Sequence, residues 1–115
     1  MHELSIALSL VEAAQQAASR AHAERVNYLH VEVGAMSGVV PDALRFCYEV
    51  AVRGTVLEGS ELWIKETPVV VFCDACGKER TLRRIHAFVC PVCGAPTAKI
   101  LRGKELEILD MEIEP

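Results

Sequence analysis

At 115 residues the chain is the length of one domain, and 51% apolar content is ample for one modest core. The formal charge of −4 speaks against a chain that binds nucleic acid over its whole surface. No stretch approaches the roughly 18 uncharged apolar residues of a membrane span. The charge is unevenly spread: residues 67–104 carry seven Lys or Arg against two Asp or Glu, a formal +5, and the remainder five against fourteen, a formal −9.

The N-terminal run Leu4 to Ala14 is apolar, and Ala21-His22-Ala23 resembles a cleavage site. No Lys or Arg precedes the run, and Glu3 and Glu12 interrupt it, so a cytoplasmic chain is expected. Glu3 to about Ala23 reads as a helix. Leu4, Ala7, Leu8, Val11, Ala14 and Ala18 recur at helical spacing, with Ile6, Leu10, Ala13 and Ala17 widening the face. Glu3 suits the positive end of the helix dipole, and His22 reads as a solvated residue at the other end. From Val26 to Gly34 the period becomes two, with Leu29, Val31 and Val33 on one face and Tyr28, His30 and Glu32 on the other. Pro41 suits the first turn of a second helix, with Asp42 at its positive end and Gly54 beyond its end. Its stripe is Leu44, Cys47, Tyr48 and Ala51, flanked by Phe46 and Val50; Cys47 reads as a buried, inert thiol.

Leu62 to Thr67 reads as a second strand, and Pro68 breaks it. Leu106 to Ile113 reads as a further strand, with Leu109, Met111 and Ile113 on one face. A lone terminal strand cannot bury that row, so it is expected to return to the first sheet. The expected architecture is α+β, with two helices packed on a small mixed β-sheet and an inserted zinc-ribbon domain. The first domain would comprise 1–67 plus 104–115, and the second 68–103.

Within that insertion, Cys73-Asp-Ala-Cys76-Gly and Cys90-Pro-Val-Cys93-Gly stand thirteen residues apart, slightly short of the usual spacing for such ribbons. Each pair on a tight turn puts two sulfurs on one side of the backbone, and the glycine permits a positive φ. Glu79 to Val89 is expected to form a short hairpin that brings the second pair round to the first. Four thiolates with no spare position fit structural zinc, which would lower the module to about +3. Disulfides would need an oxidising compartment, and a thioredoxin-like motif would need only one pair. Tetrathiolate iron uses similar turns and stays open.

Met1-His2-Glu3 is the other chemically active stretch. A retained Met1 would present a free amine, and that amine, the His2 backbone nitrogen and the His2 imidazole can close five- and six-membered chelate rings on one metal. Nitrogen donors in a plane suit Ni(II) or Cu(II), and Glu3 could add a ligand. Taken alone, the motif reads more simply as an exposed terminal histidine.

Met1-His2-Glu3-Leu4-Ser5, Val31-Glu32-Val33-Gly34, the run Ser37 to Phe46 and the paired Cys-x-x-Cys turns together resemble the HypA/HybF family, in order and over essentially the whole chain. That resemblance implies a nickel metallochaperone for maturation of nickel–iron hydrogenase, and not an enzyme. It implies Ni(II) as cargo held by His2, with Met1 and Glu3 supplying terminal nitrogens, and Zn(II) held by Cys73, Cys76, Cys90 and Cys93. It further implies the GTPase HypB and the hydrogenase large subunit as partners; some members also serve urease. A module hung on two crossings leaves a homodimer by domain exchange open.

The competing reading is a zinc-ribbon nucleic-acid-binding or adaptor protein, since Lys78, Arg80, Arg83 and Arg84 cluster in the basic module. Only Phe72 and Phe88 are there for stacking, which disfavours it. Two further residues are of interest: His86, four residues before Cys90, could approach the cysteine shell, and Asp42 could approach His2 if the helices lie side by side.

Overall fold

The computed structural model describes residues 2–83 and 87–115. The first helix, α1 (His2–Arg20), is followed by β1 (Arg25–Gly34), α2 (Pro41–Ala51) and β2 (Glu61–Thr67). The chain continues through β3 (Val69–Cys73), β4 (Lys78–Leu82), β5 (Lys99–Arg102) and β6 (Leu106–Glu114). One sheet has the order β2-β1-β6, with β2 parallel and β6 antiparallel to β1; the other is antiparallel, in the order β4-β3-β5. The terminal strand thus returns to the first sheet, where its apolar row finds cover.

Helix α1 buries Ala7, Leu10, Val11, Ala14 and Ala18. Leu8, expected on that face, is 51% exposed, so the buried stripe is narrower than the apolar pattern. The helix also ends earlier than expected. His22 takes the left-handed conformation (φ 54°), and the Ala23 and His22 amides bond back to the Ala18 and Ser19 carbonyls at 2.9 and 3.1 Å. That is a Schellman closure in which a histidine stands where glycine is usual. Helix α2 starts on Pro41 and buries Leu44, Cys47, Tyr48 and Ala51; Phe46 (69% exposed) faces outward. With Leu29, Val26, Val31 and Leu57, these side chains form the main core.

Leu109 departs from the expected face. A bulge in β6 pairs His30 with Asp110 but Val31 with Ile108, leaving Leu109 as the extra residue. The alternation is therefore shifted, and Ile108 joins Met111 and Ile113 against the core while Leu109 turns away. The middle of the hairpin expected over Glu79 to Val89, residues 84–86, lies outside the described residues, and among the described residues its first strand pairs elsewhere. Lys78–Leu82 pairs antiparallel with Val69–Cys73, so the hairpin turns at the first cysteine pair, and the register runs from Val69 opposite Leu82 to Cys73 opposite Lys78. A chain reversal at Cys73-Asp-Ala-Cys76-Gly is tight enough to start a strand at once.

The two sheets meet at a glycine crossing. The Gly34 amide bonds the Glu105 carbonyl (2.7 Å), the Ala35 amide the Thr67 carbonyl (2.9 Å) and the Met36 amide the Gly103 carbonyl (2.6 Å). A Cβ at Gly34 would overlap the Gly103 carbonyl, and Gly103 itself has φ 124°. Met36 then packs on the small second core of Val69, Val71 and Leu82. Gly34→Ala is expected to cost about 1–3 kcal/mol, the range for overpacking, through backbone that must move apart. Urea unfolding followed by circular dichroism checks this; a midpoint equal to that of the unsubstituted chain would contradict it.

Candidate metal centres

Two candidate sites differ in ligand chemistry and in exposure. At the first, Cys73 ends β3, Cys76 follows in the turn, and Cys90 and Cys93 lie in a second turn closed by a Val89–Pro96 bridge. Gly77 and Gly94 take φ of 67° and 76°, and their amides bond the Cys73 and Cys90 carbonyls at 2.7 and 2.9 Å. These paired turns aim all four sulfurs inward, within 4.8 Å of one another. The Cys73–Cys93 and Cys76–Cys90 sulfur separations are 3.6 and 3.9 Å. A tetrahedral ion bound to sulfur at about 2.3 Å requires edges of about 3.8 Å, so the cluster fits such an ion.

The electrostatics agree. The Cys93 amide, and then the Val92 amide, lower the Cys90 thiol to about 6. The Ala95 amide also pulls Cys93 down, but the neighbouring sulfurs of Cys73 and Cys76 outweigh it, and Cys93 is pushed up to about 11. Four sulfurs this close cannot all ionise without a cation between them. Arg80 faces the same cluster: its guanidinium is held in the charged form by Cys76 first and then Cys90. One member of the expected basic surface is thus turned toward sulfur rather than solvent. Arg84 and His86 lie outside the described residues.

The second site is at the start of α1. The Glu3 carboxylate accepts the Val40 amide at 3.3 Å and stands 3.3 Å from His2 Nδ1. Val40 precedes α2 and has no side-chain cap of its own there, so Glu3 ties the beginning of one helix to the beginning of the other. The Val40 amide, then Glu3's own amide and His2, hold Glu3 below its usual carboxylate range against the opposing effect of burial. The tie is present above the ordinary glutamate pKa and is lost as pH falls through the depressed one. His2 remains 57% exposed, and its ring faces the Gly38 backbone, where a Cβ would lie 3.9 Å from Nε2. Asp42 does not join this group: its carboxylate pairs with Arg45 at 3.0 Å and is 95% exposed. Met1 lies outside the described residues. The part of Val40 and Gly38 was missed in the sequence, since nothing local marks a loop as the neighbour of a residue 37 positions earlier.

Fold and sites together define a small α+β metal-site protein with one four-sulfur cluster and one open, nitrogen- and oxygen-rich terminus. Residues 1–113 match the family model for hydrogenase/urease nickel incorporation, a metallochaperone, HypA. The chain belongs to that family. It is 48% identical over 112 residues to the hydrogenase maturation factor HypA of Chloroflexus aurantiacus, covering 97% of this chain and 98% of that one. It is 41% identical over 114 residues to that of Geobacter metallireducens, covering 99% and 100%. The solution structure of the Ni metallochaperone HypA from Helicobacter pylori superposes with a TM-score of 0.66 at 22% identity, over 99% of this chain and 98% of that one. A second HypA solution structure gives 0.71 at 23%, over 98% and 96%. The chain is a metallochaperone of hydrogenase maturation and not an enzyme. Among the described residues no helix is long and apolar enough to cross a membrane.

Replacing Cys73 removes a buried ligand candidate from the sulfur cluster. Cys73→Ser is expected to reduce retained metal from about one ion per chain to nearly none after dialysis against a chelator, because three sulfurs leave an open position. Elemental analysis by mass spectrometry checks this. Retention of a full equivalent would remove Cys73 from the ligand set.

Proposed function

We propose that the chain carries Ni(II) on its N-terminus and passes it to the large subunit of a nickel–iron hydrogenase. His2 would be the essential ligand, with Met1 and Glu3 contributing terminal nitrogens. Planar nitrogen and oxygen donation suits this metal. The observation that carries the reading is the combination at His2: an imidazole left 57% exposed, on a terminus held in place by the Glu3–Val40 bond. A carrier must bind its cargo and also surrender it, and an open site on an anchored terminus meets both needs.

Cys73, Cys76, Cys90 and Cys93 would hold Zn(II) as a closed structural site, chosen over nickel by four soft sulfurs in tetrahedral array. When bound, that ion holds the two turns together; the chain contributes the backbone amides and Arg80, which offset thiolate charge. The GTPase HypB is the proposed partner for loading and release, and the cytoplasm the proposed location. A nucleic-acid role is not favoured, because the family is one of metallochaperones and Arg80 faces the cysteines.

The test is native mass spectrometry of untagged protein titrated with Ni(II), beside His2→Ala. One nickel per chain that disappears in the variant, with the other metal and the circular dichroism spectrum unchanged, is expected. A variant that keeps its nickel affinity would sink the terminal site. Affinity should also fall as pH drops, because the amine and imidazole must be deprotonated to bind.

Residues 1–67 with 104–115, and 68–103, are further proposed to be separate folding units. Stripping metal from the sulfur cluster should then expose 68–103 to protease while the remainder stays protected. Uniform digestion would contradict the division.

A further inference from the structure

The face of the β2-β1-β6 sheet turned away from the helices is without cover among the described residues, and its composition is unusual for a solvated sheet face. Trp63 lies flat on Tyr28, with ring centroids 3.8 Å apart and planes 6° from parallel, yet Trp63 is 45% exposed. One face of the indole is taken by Tyr28, His30 stands edge-on to the ring at 6.1 Å, and nearly half of the residue stays exposed to solvent. Leu109, displaced by the bulge, adds a further exposed apolar side chain to this surface.

Around this apolar centre acids outnumber cations, with Lys65 beside Glu32 and Arg25 paired with Glu114 at the sheet's end. Asp110 lies across from His30, whose Nδ1 it meets at 3.1 Å, and Glu112 lies across from Tyr28. Burial, then Asp110 and Glu112, hold the Tyr28 hydroxyl in its neutral form, which marks the negative potential here. Glu61 accepts the Trp63 indole N–H at 3.2 Å. Glu32 and Glu107 stand directly opposite each other on β1 and β6. Like charges directly opposite destabilise a sheet, so this pairing works against the fold that contains it. Glu32 has partners, the Thr67 hydroxyl that donates to it and Lys65 at 3.9 Å, whereas Glu107 and Glu112 make no ion pair among the described residues. Local choices that oppose the fold are expected where a surface has another use.

We infer that this sheet face docks an arginine-bearing cationic segment of a partner protein. A guanidinium is planar, stacks on an exposed indole and donates two parallel hydrogen bonds to a carboxylate; an ammonium does neither as well. An aromatic centre with a charged rim is also the arrangement of energetically productive interfaces. The surface is acidic, which excludes nucleic acid there, and the inference stands independently of where nickel binds.

Trp63 is the chain's one tryptophan, so its fluorescence reports this face directly. The zinc-loaded full chain would be titrated with capped hexa-arginine and hexa-lysine peptides. Hexa-arginine is expected to give a saturable change, with hexa-lysine at least about threefold weaker, the range of one exposed cation–π contact. Glu107→Gln with Glu112→Gln should weaken hexa-arginine about three- to tenfold, the range for two exposed charge pairs, and more added salt should do the same. Both substitutions are at exposed positions and relieve repulsion, so loss of folding would not obscure the result. Equal affinity for the two peptides together with indifference to the double substitution would overturn the inference, leaving only general attraction between polyions. Concentration-dependent self-association in sedimentation, abolished by the same double substitution, would also overturn it, by making the occupant a second copy of this chain.

Discussion

The crossing at Gly34 and Gly103 is the constraint on which the rest of the architecture depends. The chain leaves the first sheet after Thr67 and re-enters it before Leu106, and both passages are pinned by amides of the segment that follows β1. Because a Cβ at Gly34 has no room beside the Gly103 carbonyl, close approach of the two backbones is what sets the junction. Met36 extends the same segment into the second core, and four residues later Val40 donates to Glu3. One short strap thus touches the second sheet at one end and the N-terminus at the other.

That arrangement explains how an otherwise fraying terminus acquires a defined position. The first residues of a helix have unsatisfied amides and little packing to hold them. Here the Glu3 carboxylate exchanges that freedom for a bond across to the second helix, and the helix it reaches begins on Pro41 with no side-chain cap of its own. His2 is carried along without being buried. The sulfur cluster follows the opposite logic, with Cys73 and Cys90 buried, Cys93 at the surface and backbone amides directed at sulfur. If the terminus takes nickel and the cysteines zinc, as proposed, the difference in donor chemistry would keep the two metals apart.

Much of this was legible in the sequence because its signals are local. Helical spacing places Ala7, Val11, Ala14 and Leu44, Cys47, Ala51 on buried faces, and alternation places Leu29, Val31 and Val33. The spacing of the two Cys-x-x-Cys-Gly turns is enough to bring four sulfurs together. What was not legible depended on pairing between distant segments. The bulge that exchanges Leu109 for Ile108 exists only in register with β1, and the pairing of Lys78–Leu82 with Val69–Cys73 depends on a segment upstream of the first cysteine turn. The Glu3–Val40 tie and the glycine crossing join residues with no periodic or compositional link. His22 in the left-handed region carries no mark at all beyond its place after an alanine-rich helix.

The central claim is that the two metals occupy chemically distinct sites, nickel among nitrogen and oxygen at the terminus and zinc among four sulfurs. X-ray absorption at both metal edges, on protein loaded with one equivalent of each, tests it most directly. A nickel shell of nitrogen and oxygen that includes an imidazole, beside a zinc shell of four sulfurs, is the expected result. Sulfur in the nickel shell would place the cargo in the cysteine cluster and contradict the account.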